Sequence, residues 1–210
     1  TLDDNRYTRA AALMERWSRE GALARDSEPA YYLVRHSFSL QGRHVERHEL
    51  IAAVRLEDYD RRVVLPHEYT RDEDKRDRLA LMTACRTNFS PIMSLYSDDG
   101  DNGVAAVLAR VMESPSMASF SDPGRQGYAM WRIAGPDEIS AIRRALESKP
   151  LYIADGHHRY ETALNYRGGT GAGALDAASG FVMMGLIEFS DPGLLVLPYH
   201  RVVGGLDAGI

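Results

Sequence analysis

The sequence holds a single cysteine, Cys85, in 210 residues, so no disulfide can close within the chain and an oxidising secretory framework is unsupported. It has no long hydrophobic run. The longest apolar stretch, Phe181 to Phe189, is broken by Gly185 and Glu188 and falls far short of the roughly 18 residues a membrane helix requires. It has no excess of positive charge either. Lys plus Arg number 25 and Asp plus Glu 30, a formal net charge of −5, which disfavours a nuclease or DNA-binding module that relies on whole-chain charge and leaves only a local basic pocket. No start methionine, basic n-region or apolar h-region opens the chain, and a Gly-rich end follows directly on a strand-like run, so a fragment of a longer protein is expected. Together these absences point to the cytoplasm, with no membrane partner.

What is present is ordinary for a globular protein: 44% hydrophobic residues and 26% charged residues of both signs. The length suits one large domain or two closely packed subdomains, with a boundary near 114–127. Tyr7, Ala10, Ala11, Met14 and Trp17 recur at helical spacing before Gly21 and predict a helix packed on the core. Tyr31 to Phe38 and Leu50 to Leu56 read as an antiparallel strand pair turning at Gln41-Gly42, although the second could also be helical. Val63-Val64-Leu65 runs into Pro66, which ends regular pairing and starts a polar loop. Thr70-Arg71-Asp72-Glu73 matches a capping box opening a helix through Arg86.

Phe89 to Tyr96 is a predicted strand, and Asp98 to Asn102 its turn. A helix through Val104 to Met112 follows, then a Ser/Pro loop from Ser114 to Gly124, a strand around Tyr128 to Ile133, and a helix from Pro136. Leu151 to Ala154 is a short buried strand, and His157 to Arg167 a helix with Tyr160, Ala163 and Leu164 inward. The glycines of 168–180 mark a loop, and Phe181 to Phe189 and Leu194 to Tyr199 return to strand. The class is mixed α/β, of the α+β kind, with a mixed sheet and flanking helices.

The chemistry concentrates in Leu151-Tyr-Ile-Ala-Asp155-Gly156-His157-His158-Arg159-Tyr-Glu161. A strand, a Gly turn and a helix start bring free backbone N–H groups, the positive end of the helix dipole and three potential cations to one point. Gly156 lets a phosphate approach the backbone, Arg159 offers a fork for its oxygens, and the histidines can donate hydrogen bonds or add charge. The plainer reading makes Asp155 an ordinary N-cap and the histidines exposed first-turn residues. His157 or His158 with Glu161 has helical metal-ligand spacing, but the zincin pattern is absent, and no metal ligands are assigned.

Ala154 to Leu164 resembles the signature of the bacterial family called domain of unknown function 1015. Pro66-His67-Glu68 with Thr70, Arg78-Leu79, Ser90-Pro91-Ile92, and Leu197-Pro198 with His200-Arg201 resemble its other motifs in the same order. That family resembles the ParB-like group, with sulfiredoxin, partitioning nucleotide hydrolases and an archaeal free serine kinase. Its phosphate-holding Gly-Xaa-His/Arg-Arg turn is matched by Gly156 to Arg159, with His157 where sulfiredoxin has cysteine, so sulfinic-acid repair is not implied.

The resemblance implies a ParB/sulfiredoxin-like element around this turn and binding of ATP or ADP with Mg²⁺. Gly156, His157, His158 and Arg159 would hold the phosphates, and His200 and Arg201 would add a second contact. The candidate acid–base residues are Glu68, with His67 beside it, and Asp155. The expected activity is phosphotransfer from a nucleotide to a small hydroxyl metabolite such as a free amino acid. The alternative is a nucleotide-binding switch or NTPase without an acceptor. Gly169 to Gly173, Asp98 to Asn102 and Cys85 read as a loop, a turn and a small hydrophobe.

Overall fold

The computed structural model describes residues 4–98, 103–124, 126–169, 177–198, 200 and 202. Helix α1 (Arg6–Arg19) precedes a hairpin of β1 (Tyr31–Leu40) and β2 (Arg43–Arg55). Gln41 and Gly42, with φ of +50° and +77°, form the tight turn that the strand pairing demands. A two-residue β3 (Val64–Leu65) leads to α2 (Asp72–Cys85), β4 (Ile92–Tyr96) and α3 (Gly103–Met112). Then come β5 (Ala118–Ser121), β6 (Gly127–Ile133), α4 (Pro136–Leu146), β7 (Leu151–Asp155), α5 (His157–Arg167) and β8 (Phe181–Glu188).

The strands form one mixed sheet in the order β3-β7-β4-β8-β2-β1-β6-β5. β3 with β7 and β4 with β8 are parallel, and the other pairs are antiparallel. Register places Leu33 beside Leu50 and Trp131, and Leu50 beside Leu186, so these side chains share one face. That face is buried in a single cluster with Val104, Val107 and Leu108 of α3 and Ile142 of α4. α5 lies at the strand ends. Its Arg159 reaches the carbonyl of Pro91, just before β4, and its Arg167 reaches the carbonyl of Leu56, just after β2. Tyr160, fully buried, both donates to the carbonyl of Glu57 at 2.7 Å and accepts from its N–H at 3.1 Å. α2 packs on α5 and α1 on α2.

Three expectations change. The apolar stripe of α1 is peripheral: it meets α2, none of its residues is fully buried, and Trp17 is exposed. The Ser/Pro loop contains β5, which pairs with β6 as an edge strand. Leu194 to Tyr199 forms no strand where it is described. Val196 and Leu197 face solvent with no neighbouring strand to pair with, and Tyr199 lies outside the described residues, as do 99–102 and 170–176 of the expected turn and loop. Among the described residues no helix is long and apolar enough to cross a membrane.

Tyr160→Phe leaves both backbone groups of Glu57 without their side-chain partner, so it should destabilise the fold by about 1–2 kcal/mol. For a chain of this size that is a Tm decrease of about 2–8 °C by calorimetry.

Candidate functional site at the start of α5

Parallel β3 and β7 end side by side, so the loops leaving them meet at the same sheet edge, where α/β sheets commonly bind ligands. Pro66 ends β3, and His67 folds onto β7 by donating from Nδ1–H to the carbonyl of Ile153 at 2.7 Å. This bond leaves its Nε2 lone pair free, on an exposed residue. On the other side Gly156, at φ +103°, turns strand into helix in one step. Gly156 itself is the N-cap, and no side chain caps α5. Asp155 is therefore the last residue of β7 and not the cap: the one-residue turn carries its carboxylate away from the helix amides. That carboxylate stays largely exposed and pairs with Arg159.

The two histidines are held by their ring acceptors. The N–H of His67 donates to Nε2 of His157 at 3.2 Å, and the N–H of Arg71 donates to Nε2 of His158 at 3.0 Å. A nitrogen that accepts carries no proton, so both rings are neutral, with the proton on Nδ1. Asp74 also lies 3.6 Å from His158 Nε2, but the shorter, aligned backbone bond decides the tautomer. His157 is only 1% exposed. Burial pushes its proton affinity below the ordinary histidine value; the Glu68 charge opposes this and His67 adds to it. His157 Nδ1 lies 3.0 Å from Glu68 Oε1, yet off the hydrogen-bond line, so this buried polar atom has a charge nearby and no hydrogen-bond partner.

The accumulation of cations that the sequence suggested is thus reduced to one, Arg159. Its guanidinium binds Asp155 and the carbonyl of Pro91 and lies over Gly156, where an added Cβ would sit 2.9 Å from Cζ. Thr70 does not cap α2. Its hydroxyl donates to Glu161, which also pairs with Lys75 at 2.9 Å, so Glu161 is turned away from either histidine's use as a metal partner. α2 is capped at Arg71 without a side-chain bond. His200 is exposed, and no described hydrogen bond or ion pair brings it to α5; Arg201 lies outside the described residues.

One grouping was invisible in the sequence. His67, Glu68 and His157 offer one ligand atom each within 4.8 Å of one another. About 90 residues separate the two histidines, and no spacing rule joins a loop to a helix start across that distance. Two imidazoles and a carboxylate suit a transition metal better than Mg²⁺. Ligation through His157 Nδ1 would move the proton to Nε2, directly facing the N–H of His67, so a metal there requires that loop to turn. Mg²⁺ prefers oxygen, which Glu68 and Asp155 supply at this edge.

The lowered proton affinity of His157 fixes the sign of a pH effect. The unfolded chain, with histidine near 6.5, binds the proton more readily, so stability is lost as pH falls below about 6.5 and is level above it. In His157→Gln, denaturant unfolding at pH 7.5, 6.5 and 5.5 should show a shallower decline over that window than the unaltered protein.

Comparison with known proteins bears out the family resemblance. No curated protein and no solved structure matches the chain. The profile of the family described as "Protein of unknown function (DUF1015)" matches residues 1–209, nearly the whole length, and the chain belongs to that family.

Proposed function

We propose that the loop–helix junction binds the phosphates of ATP or ADP with Mg²⁺ and that the protein transfers a phosphoryl group to the hydroxyl of a small metabolite such as a free amino acid. The observation that carries this reading is the uncapped first turn of α5 beside the free Nε2 of His67. Amides without a side-chain partner at a helix start favour an anion. The local resemblance of Gly156 to Arg159 to the phosphate-holding turn of the ParB-like group supports the same ligand.

In this reading the α5 amides and the outer edge of Arg159 hold phosphate oxygens, with Asp155 fixing the guanidinium in place. Glu68 and Asp155 would supply the carboxylate oxygens that hold Mg²⁺, whose charge would offset that of the phosphates. His67, locked as the Nδ1–H tautomer by Ile153, takes the hydroxyl proton on Nε2 as the acceptor oxygen attacks the terminal phosphorus and the nucleotide shortened by one phosphate leaves, ADP from ATP or AMP from ADP. His157 and His158, neutral and turned to the loop, position the two halves of the site. The alternative, a nucleotide-binding switch, uses the same phosphate contacts without an acceptor.

Calorimetry with Mg²⁺–ADP should detect binding tighter than about 1 mM, weakened about tenfold or more in Arg159→Ala. His67→Asn should leave that binding nearly unchanged and lower acceptor-dependent turnover by about a hundredfold or more. Turnover that ignores added hydroxyl metabolites supports the switch, and absence of any nucleotide binding contradicts both.

A further inference from the structure

A cavity of about 610 Å³ lies apart from the α5 start. Its floor is the sheet face opposite the main core: Tyr32 pairs with Ile51, Ala53 with Met183, and Arg55 with Phe181, so Tyr32, Ile51, Ala53, Met183 and Phe181 project to the same side. Its wall is Met82 of α2 and Ala163 and Tyr166 of α5. The volume is within the range of small-molecule sites, and rings and thioethers make a lining suited to a flat apolar body.

The charge around it is one-sided. Among the described residues Arg25 and Arg86 line the cavity and no Asp or Glu does, in a chain whose net charge is −5. No ion pair to either arginine occurs among the described residues. Arg86 is also held at φ +52° and ψ +40°, the left-handed conformation that ends α2. Glycine is the residue this position favours, and a side chain there carries a conformational penalty. An exposed arginine held in the left-handed region at the rim of an apolar cavity, without an ion pair among the described residues, is an anion-binding arrangement that packing alone does not require.

We propose that this cavity binds a small aromatic carboxylate, with the ring body between the sheet face and α5 and the carboxylate at Arg86 and Arg25. The site is separate from the phosphate site, and neither proposal depends on the other.

The test uses 2-naphthoate and its neutral methyl ester, which share one body and differ in charge. Equilibrium dialysis should show naphthoate bound and the ester weaker by about tenfold or more. Arg86→Gly relieves the left-handed residue, so its Tm should be equal or higher while naphthoate binding falls about tenfold. Ala53→Phe, at an exposed position on the floor, should abolish binding of both probes and leave the Tm nearly as it was. Equal affinity for acid and ester, unchanged naphthoate binding in either variant, or no binding of naphthoate up to about 1 mM would each overturn the proposal.

Discussion

Two backbone N–H groups, of His67 and Arg71, donate into the rings of His157 and His158, and the candidate site depends on that pair of bonds. They dock the loop after β3 onto the first turn of α5. They also set the chemistry, because an imidazole that accepts at Nε2 is neutral and must carry its proton at Nδ1. The helix start therefore has no positive histidines opposing its dipole, and its one cation is matched by Asp155. A neighbouring bond, from His67 to the carbonyl of Ile153, works in the opposite sense by tying up Nδ1 and freeing Nε2. Of the three imidazoles at this edge, two serve structure and one is left with an open lone pair.

The sheet makes the docking possible. β3 is only two residues long, but its parallel pairing with β7 puts the Pro66 and Gly156 turns next to each other. Gly156 reverses the chain in a single left-handed residue, and Arg159 occupies the space above it. Tyr160 near the start of α5 and Arg167 at its far end both reach the chain leaving β2, so the helix is held at both ends and its first turn has little freedom to tilt. The same helix contributes Ala163 and Tyr166 to the second cavity, which makes α5 the element shared by both candidate sites.

Much of the scaffold was readable because its signals are local. Gln41-Gly42 between two β-rich runs specifies a hairpin, Pro136 starts a helix, and the spacing of Tyr160 and Ala163 marks the inward side of α5. Where the reading failed, a local pattern was overruled by partners distant in sequence. Thr70 has the capping-box position, but Glu161 offers its hydroxyl a carboxylate. Leu194 to Tyr199 has strand composition, yet a strand exists only where another pairs with it. The stripe of α1 packs against a second helix and not into the sheet core, so it stays half-exposed.

The site shows the same division. Gly156 to Arg159 stood out as a turn with unusual electrostatics, and the structure places those residues at a helix start beside His67 and Glu68. The use of the histidines as acceptors was not legible, because it depends on backbone groups 87 and 90 residues earlier. Nor was the proximity of His67, Glu68 and His157, since neither segment hints at the other.

The docked loop requires the protons to sit on particular ring nitrogens, and long-range ¹⁵N–¹H correlation spectra of the histidine side chains at pH 7 read their positions directly. The structure predicts the Nδ1–H tautomer for His67, His157 and His158, with His157 remaining neutral as the pH is lowered past the point where exposed histidines protonate. Resonances showing Nε2–H on His157 and His158, or His157 charged at pH 7, would contradict the docking and the site built on it.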